Sequence, residues 1–339
     1  MLQADLCHNM LLQNQKPLLS YDESRDFDQW REQVRQKLTQ LLGDLPQQRC
    51  DLQTRVEWEK DWDTFTEKRI LFRSEEYVDI PCHLWIPKNA QKPCPVVICL
   101  QGHTTGMHIS MGRVIYPQDE AFVSGGDRDL AVQAVNNGYA ALSLELRGFG
   151  ELRSEAHLKI IPQATVSCEY SAGSANLLGR TLIGERVWDI SRAVDLLETI
   201  PEIDSKRILL TGNSGGGTAT YYAACVEPRI TMALPCCSVC SFRHSIIGKR
   251  HCSCNYIPGI AKYLDMGDLA CLIAPRPLVV VAGVKDHGFS IEGSRETAEV
   301  IRKIYARFGA QDQFRYIEGP EGHRYYADLS WPVVHELFD

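Results

Sequence analysis

The apolar run Arg207-Ile-Leu-Leu-Thr211 leads directly into Gly212-Asn213-Ser214-Gly215-Gly216-Gly217, and Thr218-Ala-Thr-Tyr-Tyr-Ala-Ala follows it. The run has the length of a buried strand, and the last segment is typical of a helix. Because glycines remove side chains that would clash in a sharp turn, this stretch predicts a strand, a tight turn and a helix, with Ser214 at the apex of the turn. The amides and dipole at the start of that helix favour negative charge beside the hydroxyl.

These glycines have two other interpretations, an ordinary turn between a strand and a helix, and a phosphate-binding loop. The chain has neither G-x-x-x-x-G-K-[ST] nor a proper G-x-G-x-x-G, which disfavours the phosphate loop. G-x-S-x-G between a strand and a helix is instead typical of a nucleophilic serine. The sequence therefore makes Ser214 the candidate nucleophile.

A serine nucleophile needs a base, and the base needs an acid that orients it. Asp286 follows the predicted strand Pro277–Ala282, and His323 lies in a Gly/Pro loop after the predicted strand Gln313–Glu318. Both residues follow the carboxyl ends of strands, where open α/β sheets bind their ligands. We therefore expect Asp286 and His323 to complete a triad with Ser214.

Three other residues are weaker candidates for the acid or the base. His287 neighbours Asp286 but is expected to point elsewhere, and His335 lies inside the last predicted helix. Asp312 precedes the last strand, at the opposite edge of the sheet.

Acyl transfer through a tetrahedral intermediate also needs two N–H donors for the oxyanion. The residue after the nucleophile, Gly215, supplies one amide. The loop after the first parallel strand supplies the other, and there the chain reads Leu100-Gln-Gly-His-Thr-Thr-Gly106. We expect the His103 amide to be this donor, with Gly102 allowing a close approach to the substrate. The His103 ring either lines the pocket or is simply solvated or bonded to a loop carbonyl.

Short apolar runs alternate with helical segments over most of the chain, which is typical of a parallel sheet covered by helices on both faces. The runs are Pro95–Leu100, Tyr139–Leu144, Arg207–Thr211, Ile230–Pro235, Pro277–Ala282 and Gln313–Glu318. The predicted helices are Arg128–Asn137, Gly184–Thr199, Gly215–Val226, Ile291–Phe308 and Asp328–Phe338. A hairpin of Lys68–Arg73 and Tyr77–Ile86 brings the total to about eight strands in one mostly parallel sheet.

The expected organisation is an N-terminal helical extension over residues 1–66 and an α/β domain over 67–339. The extension contains an amphipathic helix, Asp26–Leu42, which Gly43 ends. Two segments without clear strands, near 148–184 and 236–272, are predicted to be cap-like insertions.

From the Trp30 helix to His323 the sequence resembles the α/β-hydrolase superfamily. It is most similar to the acetyl xylan esterase and cephalosporin C deacetylase branch and to dienelactone-hydrolase-like esterases. Gln101-Gly102-His103 stands where the family has a His-Gly-aromatic oxyanion loop. Glu145-Leu-Arg-Gly-Phe-Gly150 stands where the deacetylases carry Asp-x-Arg-Gly-Gln-Gly. Gly179–Arg186 resembles the run into the helix before the nucleophile, and Asp286 and Gly322-His323 match the acid and base.

The resemblance implies a serine carboxylesterase that hydrolyses short acyl esters through an acyl-enzyme and needs no cofactor. Acetyl esters of sugars or oligosaccharides are the best candidate substrates. The same chemistry also serves peptidases, thioesterases and lactonases, and a catalytically silent binding protein of this fold is a further alternative.

Glu145 and Arg147 follow one predicted strand and are candidates for the pocket or for the layer of side chains behind it. Glu145 could approach the site as a supporting acid. Arg147 could bind a substrate carboxylate, or pair with Glu145 or Glu185 and hold loops together.

Composition excludes several classes of protein. The net charge of −7 argues against a nucleic-acid binder, and no apolar run approaches the roughly 18 residues of a membrane span. The N-terminus lacks the basic and apolar regions of a signal peptide, and the odd number of cysteines, 13, fits a reducing cytosol. We therefore expect a cytoplasmic enzyme with no nucleic-acid or membrane partner. The sequence is also compatible with a homo-oligomer.

Six Cys and His residues are dense near the second insertion. They are Cys236, Cys237, Cys240, His251, Cys252 and Cys254. C-x-x-C followed by C-x-C can bind zinc, but the spacing is not that of a standard zinc ribbon. Buried free thiols are the expected state, with a redox or disulfide role as the remaining alternative, so no metal site is predicted.

Overall fold

A computed structural model describes residues 6–14, 16–162 and 164–339, and its centre is a nine-stranded sheet. The strands are β1 (Arg55–Asp61), β2 (Phe65–Glu75), β3 (Val78–Pro87), β4 (Cys94–Leu100), β5 (Ala140–Leu144), β6 (Ile203–Asn213), β7 (Met232–Cys236), β8 (Leu278–Gly283) and β9 (Phe314–Gly319). Their order is β1-β2-β3-β5-β4-β6-β7-β8-β9. The first three strands and β5 pair antiparallel, and β4 to β9 run parallel. The predicted mostly parallel sheet is confirmed.

Helices cover both faces of this sheet. The helices in the described part of the chain are α1 (Leu6–Asn14), α2 (Phe27–Leu42), α3 (Asp119–Val123), α4 (Leu130–Asn136), α5 (Glu155–Ile160), α6 (Cys168–Leu177), α7 (Leu182–Glu198), α8 (Gly215–Val226), α9 (Ile291–Arg307) and α10 (Ala327–Phe338). Alternate residues of β4 belong to two different apolar cores, because successive side chains of a strand point to opposite faces. One core packs against α2, α7, α8 and α9, and the other packs against α4 and α10.

Strand β1 makes the sheet one strand larger than the predicted eight. It lies within residues 1–66, where the sequence analysis expected a helical extension, and β2 also begins there. All seven residues of β1 are exposed, and they read Arg-Val-Glu-Trp-Glu-Lys-Asp. The strand pairs with β2 along one edge and buries no face, so its sequence carries no apolar alternation. The extension is therefore helical only in part.

The predicted helix of the extension is confirmed as α2. The Asp26 carboxylate caps it by accepting a hydrogen bond from the Gln29 amide at 2.8 Å. The last residue of α2, Leu42, and the segment before the helix, at Tyr21, each contact one of the two predicted insertions. The Thr181 hydroxyl donates to the carbonyl of Leu42, and the amide of Tyr21 donates to the Asp268 carboxylate, each at 2.7 Å.

Apart from Cys236, which is the last residue of β7, the two predicted insertions contain no strand among their described residues. The first holds α5 and α6, and the second holds four short 3-10 turns. Helix α6 of the first contacts the turn Ser253–Asn255 of the second, so the two segments meet beside the sheet. No helix in the described ranges is both long and apolar enough to cross a membrane.

Candidate active site

The turn between β6 and α8 holds Ser214 in a strained conformation. The residue has φ 58° and ψ −121°, in a region that side chains other than glycine rarely adopt. Its amide donates to the carbonyl of Cys236 at 2.9 Å, and its carbonyl accepts from the amide of Thr218 at 2.8 Å. These bonds to β7 and α8 hold the strained turn, as the strand–turn–helix motif requires.

Asp286 and His323 are hydrogen-bonded to each other. The carboxylate Oδ2 of Asp286 lies 2.7 Å from Nδ1 of His323, and its Oδ1 accepts from the amides of Gly288 and Phe289 at 2.8 and 3.1 Å. Burial raises the pKa of Asp286, but the His323 ring and the two amides outweigh it and hold the pKa below its usual value. An ionised Asp286 therefore faces Nδ1 and leaves Nε2 of His323 as the basic nitrogen.

One cleft of about 550 Å³ is lined by Ser214, His103, Asp286 and His323. Within the described part of the chain, no hydrogen bond joins the Ser214 hydroxyl to Nε2 of His323. Such bonds are often long before a substrate binds and tighten in the complex. The structure thus brings the three predicted triad residues to one cleft, and their catalytic roles stay a prediction.

The weaker candidates lie elsewhere or have other partners. His287 also lines the cleft, but it is Asp286 and not His287 that bonds His323. The ring of His335 is bonded to Asp339 at 2.8 Å and to Asn137 at 2.9 Å, outside the cleft.

The predicted oxyanion loop lies directly against the nucleophile turn. A methyl group on Gly102 would be 2.8 Å from the carbonyl oxygen of Asn213 and 2.9 Å from Cβ of Ser214, so only glycine fits there. The His103 ring packs on Gly215, where a methyl group would be 2.9 Å from Nδ1 of the ring. Across the described residues, neither the His103 nor the Gly215 amide donates a hydrogen bond. Both amides are therefore available to an oxyanion, the role that the sequence predicts.

Glu145 supports the oxyanion loop from behind. Its side chain is buried, and it accepts hydrogen bonds from Nε2 of Gln101 at 2.5 Å and from the amides of Met107 and Glu151 at 3.3 and 3.2 Å. Burial raises its pKa to about 7, although the two amides oppose the rise. Glu145 does not line the cleft of Ser214. Its position is therefore behind the pocket, next to the loop that carries Gly102.

Arg147 does not line the cleft of Ser214, and acidic side chains surround its guanidinium. Its guanidinium donates twice to the Asp189 carboxylate, at 2.7 Å each, and lies 2.6 Å from Glu75 and 3.6 Å from Glu185. These carboxylates raise the pKa of Arg147 above its usual value, although burial opposes the rise. The residue joins α7 to β2 and the loop after β5, because three acids surround it.

The sequence analysis missed the basic rim of the cleft. Arg250, His251 and Lys285 line it with His287. Lys285 follows β8 and precedes Asp286, so the sequence could have indicated that it lies at the same edge of the sheet as the candidate triad. Arg250 and His251 lie in the second insertion, whose path over the site has no signal in a single sequence.

The dense cysteines of the second insertion do not all converge on one point. Cys236 and Cys237 lie against the carbonyl of Arg324, at 3.1 and 3.3 Å, and Cys240 lies 3.5 Å from that of Ser290. The other two join residues from distant parts of the chain in what we name the thiol–imidazole cluster. It consists of His103, Cys168, Cys252 and Cys254, whose ligand atoms all lie within 4.8 Å of one another.

The comparisons with known proteins place this fold in a family. The model of the Abhydrolase family matches residues 3–318, which is most of the chain. The chain therefore belongs to this family, and the predicted α/β-hydrolase fold is confirmed. A curated relative, "Putative hydrolase YtaP" of Bacillus subtilis (strain 168), is 26% identical over 302 residues, which are 86% of this chain and 94% of the relative.

Two solved structures share the fold over nearly the whole chain. A "putative acetyl xylan esterase" from Bacteroides fragilis superposes with a TM-score of 0.83 and 16% identity, over 100% of this chain and 95% of that one. A glucuronoyl esterase from Solibacter usitatus has a TM-score of 0.70 and 18% identity, over 94% and 95%. At these identities the likeness concerns the fold. The predicted enzyme class, a carboxylic ester hydrolase, agrees with the names of these relatives.

Proposed function

We propose that the protein is a serine carboxylesterase that hydrolyses short acyl esters, with acetyl esters of sugars or oligosaccharides as the best candidates. The observation that carries the proposal is the 2.7 Å hydrogen bond between Asp286 and Nδ1 of His323, in the cleft that also holds Ser214. The esterase names of the structural neighbours support it.

In the proposed mechanism Ser214 attacks the ester carbonyl while Nε2 of His323 takes the hydroxyl proton. Asp286 holds the ring in the required tautomer and stabilises the imidazolium. The amides of Gly215 and His103 donate to the oxyanion, and His323 then gives its proton to the leaving alcohol. Water hydrolyses the acyl-enzyme by the same steps, and these steps require no cofactor.

The charge around the cleft favours a substrate that carries negative charge. Among the described residues that line the cleft, Asp286 is the only carboxylate, and it is bound to His323. Arg250 and Lys285 contribute two cations, of which Lys285 lies 3.2 Å from Glu321. Complementary charge at a rim increases association rates and selects partners. Acetylated oligosaccharides with acidic sugar units are therefore the substrates we favour.

A second candidate substrate is the ester of a sugar acid, in which the sugar ring supplies the acyl group. The glucuronoyl esterase among the structural neighbours favours this alternative. The cleft volume of about 550 Å³ lies within the range of small-ligand sites and accommodates a sugar ring.

Hydrolysis by the wild type and by Ser214→Ala tests the proposal. We expect p-nitrophenyl acetate to be cleaved faster than the octanoate, and kcat to fall by at least about 10⁴-fold in the variant because the nucleophile is lost. Ser238→Ala is the matched control, since its hydroxyl is buried beside the same turn and has no hydrogen-bond partner. Equal rates in Ser214→Ala and the wild type would exclude Ser214 as the nucleophile.

Substrate panels then separate the remaining alternatives. Acetylated xylo-oligosaccharides are compared with the methyl ester of glucuronic acid, and amide, thioester and lactone analogues test the other hydrolase activities. A protein that reacts with none of these and is not labelled by a fluorophosphonate would be a silent binding protein, which contradicts the proposal.

We also propose a cytoplasmic location, which the thiol chemistry supports. All thirteen cysteines lie in the described ranges and none of them forms a disulfide. Reducing compartments maintain this state. A fluorescent fusion or cell fractionation measures the location, and recovery in a secreted fraction would contradict it.

A further inference from the structure

The thiol–imidazole cluster joins three parts of the chain that are distant in sequence. His103 belongs to the oxyanion loop, Cys168 begins α6 in the first insertion, and Cys252 and Cys254 belong to the second insertion. Nε2 of His103 lies 3.1 Å from Sγ of Cys254. Three thiols and one imidazole nitrogen therefore converge on one point.

We propose that the thiol–imidazole cluster binds one Zn²⁺ ion. Zinc takes four tetrahedral ligands, and Cys₃His is a common structural set. With Zn–S bonds of about 2.3 Å, two sulfurs of a tetrahedron are roughly 3.8 Å apart. The separations within the cluster, all under 4.8 Å, need only small side-chain movements to reach this geometry. Binding releases the thiol protons to solvent.

The surroundings of these sulfurs differ from those of the other buried thiols. Cys236, Cys237 and Cys240 each lie within 3.5 Å of a backbone carbonyl, as ordinary buried thiols do. In the described chain, neither Cys252 nor Cys254 has a carbonyl partner, and the one carbonyl that the Cys168 sulfur contacts, that of Gly148, is at 3.9 Å. The cluster sulfurs are therefore turned toward one another and toward the imidazole.

A buried cation next to the cluster provides an independent argument. Arg186 is fully buried, and Nη2 lies 3.3 Å from Sγ of Cys168. Its other hydrogen bonds go to the carbonyl of Arg147, and the guanidinium lies over the Phe149 ring, 4.3 Å from its centroid. Nη1 has no hydrogen-bond partner, and within the described ranges no carboxylate lies within 4 Å of the guanidinium. A buried charge is costly unless it is paired. Three thiolates and one Zn²⁺ carry a net charge of −1, which this guanidinium neutralises.

The ion would be structural, because the protein ligands fill all four tetrahedral positions. It would fix the two insertions to the oxyanion loop, through the His103 ring that packs on Gly215. Coordination through Nε2 leaves the proton of His103 on Nδ1, the nitrogen that faces Gly215. This effect on the oxyanion site rests on the proposed function, whereas zinc binding itself does not.

Metal analysis of the full-length protein, expressed with zinc in the medium, tests the proposal. We expect about one zinc per chain in the wild type and less than about a tenth of that in Cys254→Ser or Cys168→Ser. The matched control is Cys240→Ser, a buried thiol of the same insertion outside the cluster, and it should retain the zinc. A metal-free wild type, iron in place of zinc, or unchanged zinc in the two ligand variants would overturn the proposal.

A second measurement on the wild type does not depend on whether the variants fold. Replacement by Co²⁺ should give the absorption bands of tetrahedral thiolate coordination, and a mercurial reagent should release zinc as the cluster thiols react. The zinc site would be contradicted if the Co²⁺ bands and the release of zinc were not observed. It would also be contradicted if mass spectrometry found a disulfide among the three cysteines.

Labelling by a fluorophosphonate distinguishes failure of this inference from failure of the proposed function. Zinc without labelling of Ser214 would refute the esterase, and labelling without zinc would refute only the metal site.

Discussion

At the scale of single residues, Glu145 carries a pH-dependent contribution to stability. Burial raises its pKa from the ordinary 4.5 to about 7, so between these values the folded chain holds a proton that the unfolded chain has lost. Stability therefore falls as pH rises through this window, by about 3 kcal/mol in total. We expect Glu145→Gln to lack this fall, and urea unfolding of both proteins from pH 4.5 to 8 measures it.

Glu151→Gln provides the control for this experiment. Glu151 pairs with Arg69 at 2.6 Å, and this pairing holds its pKa below the usual value. The Glu151 variant keeps the buried Glu145 and should still show a decline between pH 4.5 and 8, somewhat smaller than in the wild type because the Glu151 charge contributes to the raised pKa of Glu145. Parallel stability curves for the wild type and Glu145→Gln would contradict the assignment of a raised pKa to Glu145.

The candidate triad could be predicted from the sequence because each member directly follows a strand with a clear apolar pattern. Ser214, Asp286 and His323 come after β6, β8 and β9, whose carboxyl ends meet at one edge of the sheet. The partners of Arg147 and the convergence of Cys168 with Cys254 could not be predicted in the same way. They depend on how irregular segments cross the sheet, and no periodicity encodes that path.

At the scale of elements, the oxyanion loop after β4 is fitted to the nucleophile turn through Gly102. In Gly102→Ala the added methyl group would meet the backbone of Asn213 at 2.8 Å, so the loop must shift by several tenths of an ångström. Displacing one oxyanion donor costs about 10²–10³ in kcat, and we expect a loss of this size. Kinetics with p-nitrophenyl acetate, together with Tm, measure the effect.

Gly173→Ala is the matched control, because a methyl group on this glycine of α6 has open space around it. It should keep the wild-type kcat, and alanine should favour the helix. If Gly102→Ala retained wild-type kcat, the loop would not supply an oxyanion donor.

The strands that could be predicted are those whose residues pack against a helix or another strand on at least one face. Strands β4, β5, β7 and β8 and the second half of β6 are apolar runs because both of their faces are covered. The predicted bounds of the six parallel strands lie within two residues of those of the structure, except that β6 begins four residues earlier. Strand β1 is different, because it is held by its pairing with β2 and every side chain is exposed. Backbone pairing leaves no trace in the pattern of apolar side chains, so this strand escaped prediction.

At the scale of the whole molecule, the N-terminal helix α2 is part of the main core. Trp30, Val34, Leu38 and Leu42 are buried in the same cluster as β4, β6 and α7. The indole Nε1 of Trp30 donates to the carbonyl of Leu19 at 2.9 Å, and its ring lies 5.3 Å from Tyr21 and 5.5 Å from Phe27. We therefore expect α2 and the sheet to unfold together.

The tryptophans Trp30 and Trp58 form a matched pair for testing this cooperativity. Trp30 is 2% exposed in the core, whereas Trp58 is 41% exposed on β1. Trp30→Ala leaves a large cavity, so it should lower the free energy of unfolding by about 3–5 kcal/mol. Trp58→Ala should cost less than about 1 kcal/mol, since its side chain is largely exposed on an edge strand that buries no face. Urea unfolding followed by both circular dichroism and fluorescence should give one coincident transition in each protein. A separate transition at low urea in Trp30→Ala would instead mean that α2 unfolds as a unit of its own, because only then can the helix be lost while the sheet stays folded.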